Sequence, residues 1–293
     1  MGATTYPTTA LASDVLRSDI STQGLGYPDD YGPRLDATLQ RHRVGEMLIQ
    51  VGFVLRDLVR EPSGSYQTQI ANRFNPYMTY IDATIAAGGR VRLQLHCSTP
   101  PWLASYPYPH SVLSGLDEPS DEPVSACSAP VNLVEWRAII RDVGEHFGSQ
   151  AGQISFSIGS EPENYFAGGL DELLDWYTAT AQGILDSTQG SAYRLGGLTM
   201  GRHKHASLSK TAPTLQQDTV TFTSVEYDES ITKTWIEHSA VMGLPLDMVT
   251  LHHFGGSPVP AVGTNWRHTR RDISTWLEAN GYQPEQVEVL IED

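Results

Sequence analysis

Short apolar runs alternate with longer amphipathic ones along the chain. Runs rich in Val, Ile and Leu at residues 51–58, 91–95, 154–158, 194–198, 248–252 and 287–291 predict β-strands, and residues 15–20 are a weaker first candidate. The stretches between them carry helical spacing and helix punctuation. Asn75-Pro76 pairs a capping residue with proline at a first helical position, and Gly88-Gly89 ends that helix. Trp136, Ile139, Ile140, Val143 and Phe147 fall on one helical face. Asp171 is placed to cap the next helix, whose stripe is Leu173, Leu174, Tyr177, Ala181, Ile184 and Leu185. Ile273, Trp276 and Leu277 mark another helix ending at Gly281, and residues 33–50 and 230–242 carry weaker helical patterns.

Strands alternating with helices require crossover connections, and crossovers make a parallel sheet. Seven strands in one domain predict an α/β fold of the (β/α)8 TIM-barrel kind rather than an open doubly wound sheet. The Gly24-Leu25-Gly26 turn lacks the third glycine that a dinucleotide-binding sheet places after its first strand. No Ser/Gly linker, charge block or low-complexity tract divides residues 1–293, which predicts a single domain. The last strand lies two residues from the end of the sequence, so seven strands leave a closed barrel one short. Either the first strand is misplaced, or the barrel is cut short after its seventh strand, without the eighth and without any C-terminal β domain.

Composition narrows the function classes. With 19 basic and 34 acidic residues the formal charge is −15, which argues against nucleic acid and against an anionic membrane surface as partners. A hydrophobic content of 40% and a charged content of 18% exclude a disordered polyelectrolyte. No run approaches the roughly 20 apolar residues of a membrane helix. No signal peptide is visible, and the sequence leaves secreted and cytoplasmic locations equally open. Two cysteines, Cys97 and Cys127, are too few for a disulfide scaffold or a Cys-rich zinc site; they are either bridged or buried as thiols.

A TIM barrel gathers its chemistry at the C-terminal ends of its strands. Arg56 follows residues 51–55 of the first of the runs above. His96 and Thr99-Pro100-Pro101-Trp102 follow the second, Ser160 and Glu161 the third, and His252, His253 and Phe254 close the run at 248–252. Glu292 follows the last run, and alternation places Glu288, Leu290 and Glu292 on one face of that strand. Two carboxylates at one barrel mouth suit glycoside hydrolysis. One protonates the leaving oxygen, and the other attacks the anomeric carbon or activates a water. The acid must hold a proton at neutral pH, so its pKa is expected to be raised. The aromatic residues suit the C–H face of a sugar, making a carbohydrate the expected partner. No cofactor is called for. A metal is not expected either: there is no HExxH, and His203-Lys204-His205 supplies no clear third ligand to His252 and His253.

Each of these residues also has a plain structural reading. Glu161 could be a turn carboxylate, Arg56 could pair with Asp57 or Glu61, and Trp102 could plug the core. Arg202, His203 and Lys204 form either a clamp for an acidic sugar or a solvated basic loop. The long stretch from Trp102 to Pro130, with acids at 117, 118, 121 and 122, reads as a rim or lid.

The segment Ile154-Ser-Phe-Ser-Ile-Gly-Ser-Glu-Pro-Glu-Asn164 resembles the strand-four signature of the clan A glycoside hydrolases, usually written with Asn-Glu-Pro. Pro130-Val-Asn-Leu-Val-Glu-Trp136 followed by Glu145-His-Phe-Gly148 is similar to the third helix of glycoside hydrolase family 39. Thr99-Pro-Pro-Trp-Leu-Ala-Ser105 is similar to its third-strand loop, and Asp247-Met-Val-Thr-Leu-His-His-Phe254 to its sixth strand. The resemblance covers residues 45 to 293. It implies a β-xylosidase-like or α-L-iduronidase-like enzyme working by a retaining mechanism. Glu161 would be the acid/base and Glu292 the nucleophile, their carboxyls about 5–5.5 Å apart. Ser160, His252, Arg56, Trp102, His96 and Phe254 would contact the substrate. The sequence departs from the pattern at Ser160, where the family has an Asn that bonds the sugar 2-hydroxyl; a Ser hydroxyl is shorter and has one donor. Phe254 stands where the family has Tyr. A non-catalytic carbohydrate-binding barrel and an inactive fragment of a longer glycosidase are the alternative readings.

Overall fold

The computed structural model describes residues 46–50, 59, 61–86, 88–97, 99–106, 127–216, 219–252 and 266–292. In chain order the strands are β1 (Glu46–Gln50), β2 (Arg90–Leu95), β3 (Cys127–Ser128), β4 (Ile154–Ser160), β5 (Phe166–Ala167), β6 (Arg194–Met200), β7 (Ser207–Gln216), β8 (Thr219–Glu226), β9 (Met248–His252) and β10 (Glu288–Glu292). The α-helices are α1 (Gln67–Ala86), α2 (Leu133–His146), α3 (Pro162–Tyr165), α4 (Leu170–Leu185), α5 (Ile231–Val241) and α6 (Trp266–Ala279). Six strands form one sheet in the order β1-β2-β4-β6-β9-β10, every neighbouring pair parallel. A helix lies in each of the five connections. The order never reverses, whereas a doubly wound sheet turns back on itself at a switch point. This is the winding of a TIM barrel. A smaller sheet, β3-β5-β7-β8, is built from excursions of the connecting loops.

Five of the predicted strands lie within two residues of their expected ends, because each apolar run is bounded by turn or helix signals. The strand paired with β2 is Glu46–Gln50, ahead of the predicted 51–58, whose residues lie outside the described ones. Residues 46–50 had been expected to end a helix. Met47-Leu48-Ile49 suits either element, and pairing along the edge of β2 decides for the strand. The candidate at 15–20 also lies outside the described residues.

The helix expected to start at Asn75-Pro76 begins eight residues earlier and runs through the proline as α1. Its predicted stop holds: Gly88 takes φ 82, Gly89 N–H bonds the Thr84 carbonyl at 2.9 Å, and Gly88 N–H bonds that of Ile85 at 2.9 Å. Asp171 does not cap α4. Gly169 does, its N–H donating to the Glu172 carboxylate at 2.7 Å, and Asp171 sits in the first turn. The hairpin β7–β8 had no predicted counterpart.

The helical stripes form the layer between sheet and solvent. Trp136, Ile139, Ile140 and Val143 of α2 and Leu173, Tyr177, Ala181 and Ile184 of α4 are buried. The Trp136 indole N–H donates to Thr180 Oγ1 at 2.8 Å across the two helices. Asn132 caps α2, its side chain accepting from the N–H groups of Val134 and Glu135, both at 3.1 Å. Asn132→Ala should therefore cost about 1 kcal/mol of stability and Asn132→Gly only a few tenths, read as the change in urea midpoint.

Two features of the sheet bear on the site. First, Gln94, Ser157, Thr199 and Thr250 put a polar layer inside the sheet's curve, where many barrels pack bulky aliphatics. Gln94 Nε2 donates to Thr199 Oγ1 at 3.1 Å, and the hydroxyls of Ser157, Thr199 and Thr250 lie 2.7–3.3 Å from one another. Second, β6 runs through Gly196-Gly197, with its register against β9 shifted between Gly197 and Met200. A Cβ on Gly197, which has φ 144, would lie 2.1 Å from the Ile158 carbonyl oxygen of β4.

Candidate active site

Strand β4 leads straight into Glu161. Among the described residues Glu161 is the one non-glycine with positive φ, at φ 45 and ψ 49. A side chain in that left-handed region costs roughly 1–2 kcal/mol. The surroundings hold it there. The Glu161 N–H donates to the Thr199 carbonyl on β6 at 2.7 Å. Pro162 then opens the single turn α3, and the N–H groups of Asn164 and Tyr165 donate back to the Glu161 carbonyl at 2.9 and 3.1 Å.

The Glu161 carboxyl is buried at the end of the strand. His252 Nδ1, at the end of β9, lies 2.7 Å from its Oε1, and Asn164 Nδ2 donates to its Oε2 at 3.3 Å. The bond to His252 holds the Glu161 pKa below the ordinary carboxylate value; burial opposes this, and Asn164 and the charge of His96 reinforce it. An ionised carboxylate only accepts, so His252 Nδ1 is the donor. This corrects the sequence expectation of a raised pKa at Glu161. The cause is a partner 91 positions away, which no local pattern reveals.

The carboxyl whose pKa is raised lies two residues further on. Glu163 is 1% exposed, and its pKa is pushed up to about 7, chiefly by burial and further by the charge of Glu161. Its Oε1 accepts from the Gly201 N–H just past β6. The Tyr165 ring lies 5.7 Å from the His96 ring, and Lys210 of β7 stands over Tyr165 at 5.7 Å and over Phe222 of β8 at 5.5 Å.

The structure thus brings Glu161, His252 and His96 together and adds Glu163, Asn164 and Tyr165. The Glu161-Pro162-Glu163-Asn164 run held the signal for the added group: proline at the first helical position predicts a turn, and i, i+3 spacing returns Asn164 to Glu161. Ser160 is buried and stands in register with Thr199. Glu292 ends β10 in register with His252, so the backbone sets it one strand, about 4.8 Å, beyond the Glu161 partner. The Glu292 side chain, and the whole of Arg56 and Phe254, lie outside the described residues.

Trp102 belongs elsewhere. Its indole N–H donates to the Val59 carbonyl at 2.8 Å, and it lines a cavity of about 510 Å³ together with Tyr66, Asn132 and Glu135. Lys204 and His203 bond Asp272 of α6 at 2.9 and 3.3 Å, so neither stands as a clamp over the mouth. Cys97 is buried, its Sγ 3.8 Å from His96 Nδ1, and the Cys127 side chain lies outside the described residues. Among the described residues no group of three His, Cys, Asp or Glu side chains is placed to hold a metal ion, and no helix is long and apolar enough to cross a membrane.

No protein-family model and no curated protein matches this sequence. Solved structures do. A glucosidase from Croceicoccus marinus is 11% identical with a TM-score of 0.53, over 90% of this chain and 47% of that one. A glycoside hydrolase family 30 subfamily 8 xylanase from Clostridium acetobutylicum is 8% identical with a TM-score of 0.46, over 88% of this chain and 59% of that one. The chain spans about half the length of the glucosidase. At this identity the likeness to the glucosidase carries the fold alone: the chain has the α/β architecture of a TIM barrel.

Proposed function

We propose that the chain is a retaining glycoside hydrolase of the clan A kind, closest to family 39, with Glu161 as acid/base and Glu292 as nucleophile. The observation that carries this reading is the buried Glu161–His252 pair at the ends of β4 and β9, with Glu292 in register beside His252. On this reading three strand ends supply two carboxylates and an imidazole to one region of the mouth. The glucosidase fold and the Glu161-Pro162 signature point the same way.

In the first step the glycosidic C–O bond breaks as the Glu292 carboxylate bonds the anomeric carbon, and the leaving oxygen takes a proton from Glu161. The bond from His252 Nδ1 at 2.7 Å, which holds the Glu161 pKa below the ordinary value, makes protonated Glu161 the stronger acid toward that oxygen. In the second step Glu161, again a carboxylate, takes a proton from water. The water oxygen bonds the anomeric carbon and Glu292 leaves. On this reading Ser160 and His96 contact the sugar. Arg56 and Phe254 complete the substrate-contacting set that the family resemblance implies; Trp102, which the resemblance also implies, faces the separate cavity described above.

A panel of 2-fluoro glycosides with activated leaving groups tests this. The expected result is one covalent adduct per chain on the peptide holding Glu292, with retention of anomeric configuration in the matching aryl glycoside followed by NMR. Inversion, an adduct on another residue, or sugar binding without turnover would overturn the reading, the last in favour of a carbohydrate-binding barrel.

A further inference from the structure

The turn α3 that carries Glu161 is four residues long, too short to fix its own position. Glu163 ties it to the rest of the fold. Its Oε1 reaches the Gly201 N–H, and the fit is close: a Cβ on Gly201 would lie 2.7 Å from that oxygen. Its backbone carbonyl accepts from Ser209 Oγ of β7 at 2.7 Å. The other carboxyl oxygen, Oε2, is buried with no hydrogen-bond partner. An ionised carboxyl there would leave negative charge bare in a dry place, whereas a neutral one leaves only a hydroxyl without an acceptor.

We propose that Glu163 is a positioning residue: in its protonated form it pegs the Glu161 turn to the end of β6 and so keeps Glu161 aimed at His252 and the reacting sugar. The raised pKa, about 7, agrees with that geometry. The charged groups facing Glu163 are Glu161, which disfavours ionisation, and His252, which favours it weakly. The folded pKa stands above the ordinary 4.5, so the stability this group contributes is complete below about pH 4.5 and is lost as pH rises through about 7. Above that point Oε1 still accepts from the Gly201 N–H, but Oε2 holds bare charge in a dry place beside the Glu161 carboxylate, and the turn is destabilised there.

The kinetic part of this proposal rests on the glycosidase reading; the packing part does not. Melting of the parent, Glu163→Gln and Glu163→Leu should be compared at about pH 5.5 and about pH 8.5, together with kcat and KM across that range. The parent should lose roughly 5 °C more than Glu163→Gln between the two conditions. The alkaline fall in parent kcat near pH 7 should move to higher pH in Glu163→Gln. Glu163→Leu should lower kcat about ten-fold or more and leave KM within about two-fold, because a misaimed acid slows chemistry more than it weakens binding. Equal pH dependence of melting in the parent and Glu163→Gln overturns the proposal, as does parent-like kcat in Glu163→Leu. If the parent hydrolyses no glycoside, the functional reading fails, and the melting comparison still decides the peg. If Glu163→Leu does not fold, Glu163→Gln still decides it.

Discussion

Glu161→Gln should lower kcat about 10²–10⁴-fold for glycosides whose leaving group needs a proton, and far less for those with acidic phenols. Gln keeps the size of the side chain, and its amide oxygen can still accept from His252 Nδ1, so the fold should survive. What disappears is the carboxyl group that gives its proton to the leaving oxygen. The deglycosylation step also loses its base, so the glycosyl enzyme should accumulate with activated substrates. Azide, which needs no base, should restore part of that turnover and give a glycosyl azide of retained configuration. Parent-rate hydrolysis of an alkyl glycoside by Glu161→Gln would remove Glu161 from the mechanism.

The largest structural effect is expected at Gly197. Here β4 presses on β6, and an added Cβ would meet the Ile158 carbonyl at 2.1 Å, inside any tolerable contact. The residue also holds φ 144, which side-chain-bearing residues avoid. Neither fault can be relieved by rotating a side chain, because the obstacle is backbone. Gly197→Ala should cost at least about 3 kcal/mol, a large share of the roughly 5–15 kcal/mol that stabilises a domain. The damage should also reach the site, since Thr199 lies two residues along and its carbonyl holds the Glu161 N–H. The urea midpoint and the soluble fraction on expression would show it. A midpoint matching the parent would mean that the strands can part there at little cost.

What was legible in the sequence was whatever local pattern decides. The ends of α1 and α6 are written in Gly88 and Gly281, both at positive φ. The strands at 154, 194, 248 and 288 are written in apolar runs too short for helices. Competition between local and distant signals defeated the reading elsewhere. Asn75-Pro76 looks like a helix start, yet α1 continues through it. Residues 46–50 have an ambiguous period that β2 resolves by pairing. No strand was expected at the hairpin β7–β8, although the Thr, Val and Phe of residues 219–223 suit one. At the site, the residue types and strand ends were readable. The charge state of Glu161 was not, because it depends on a ring on another strand, and Glu163 was overlooked because burial, not motif, gives it its proton.

The left-handed backbone at Glu161 sets folding against chemistry at one position. Glycine would take that conformation without strain, so selection for folding alone would favour glycine there. A barrel of this kind with no demand for a carboxylate at position 161 would be expected to carry glycine there and to be the more robust for it.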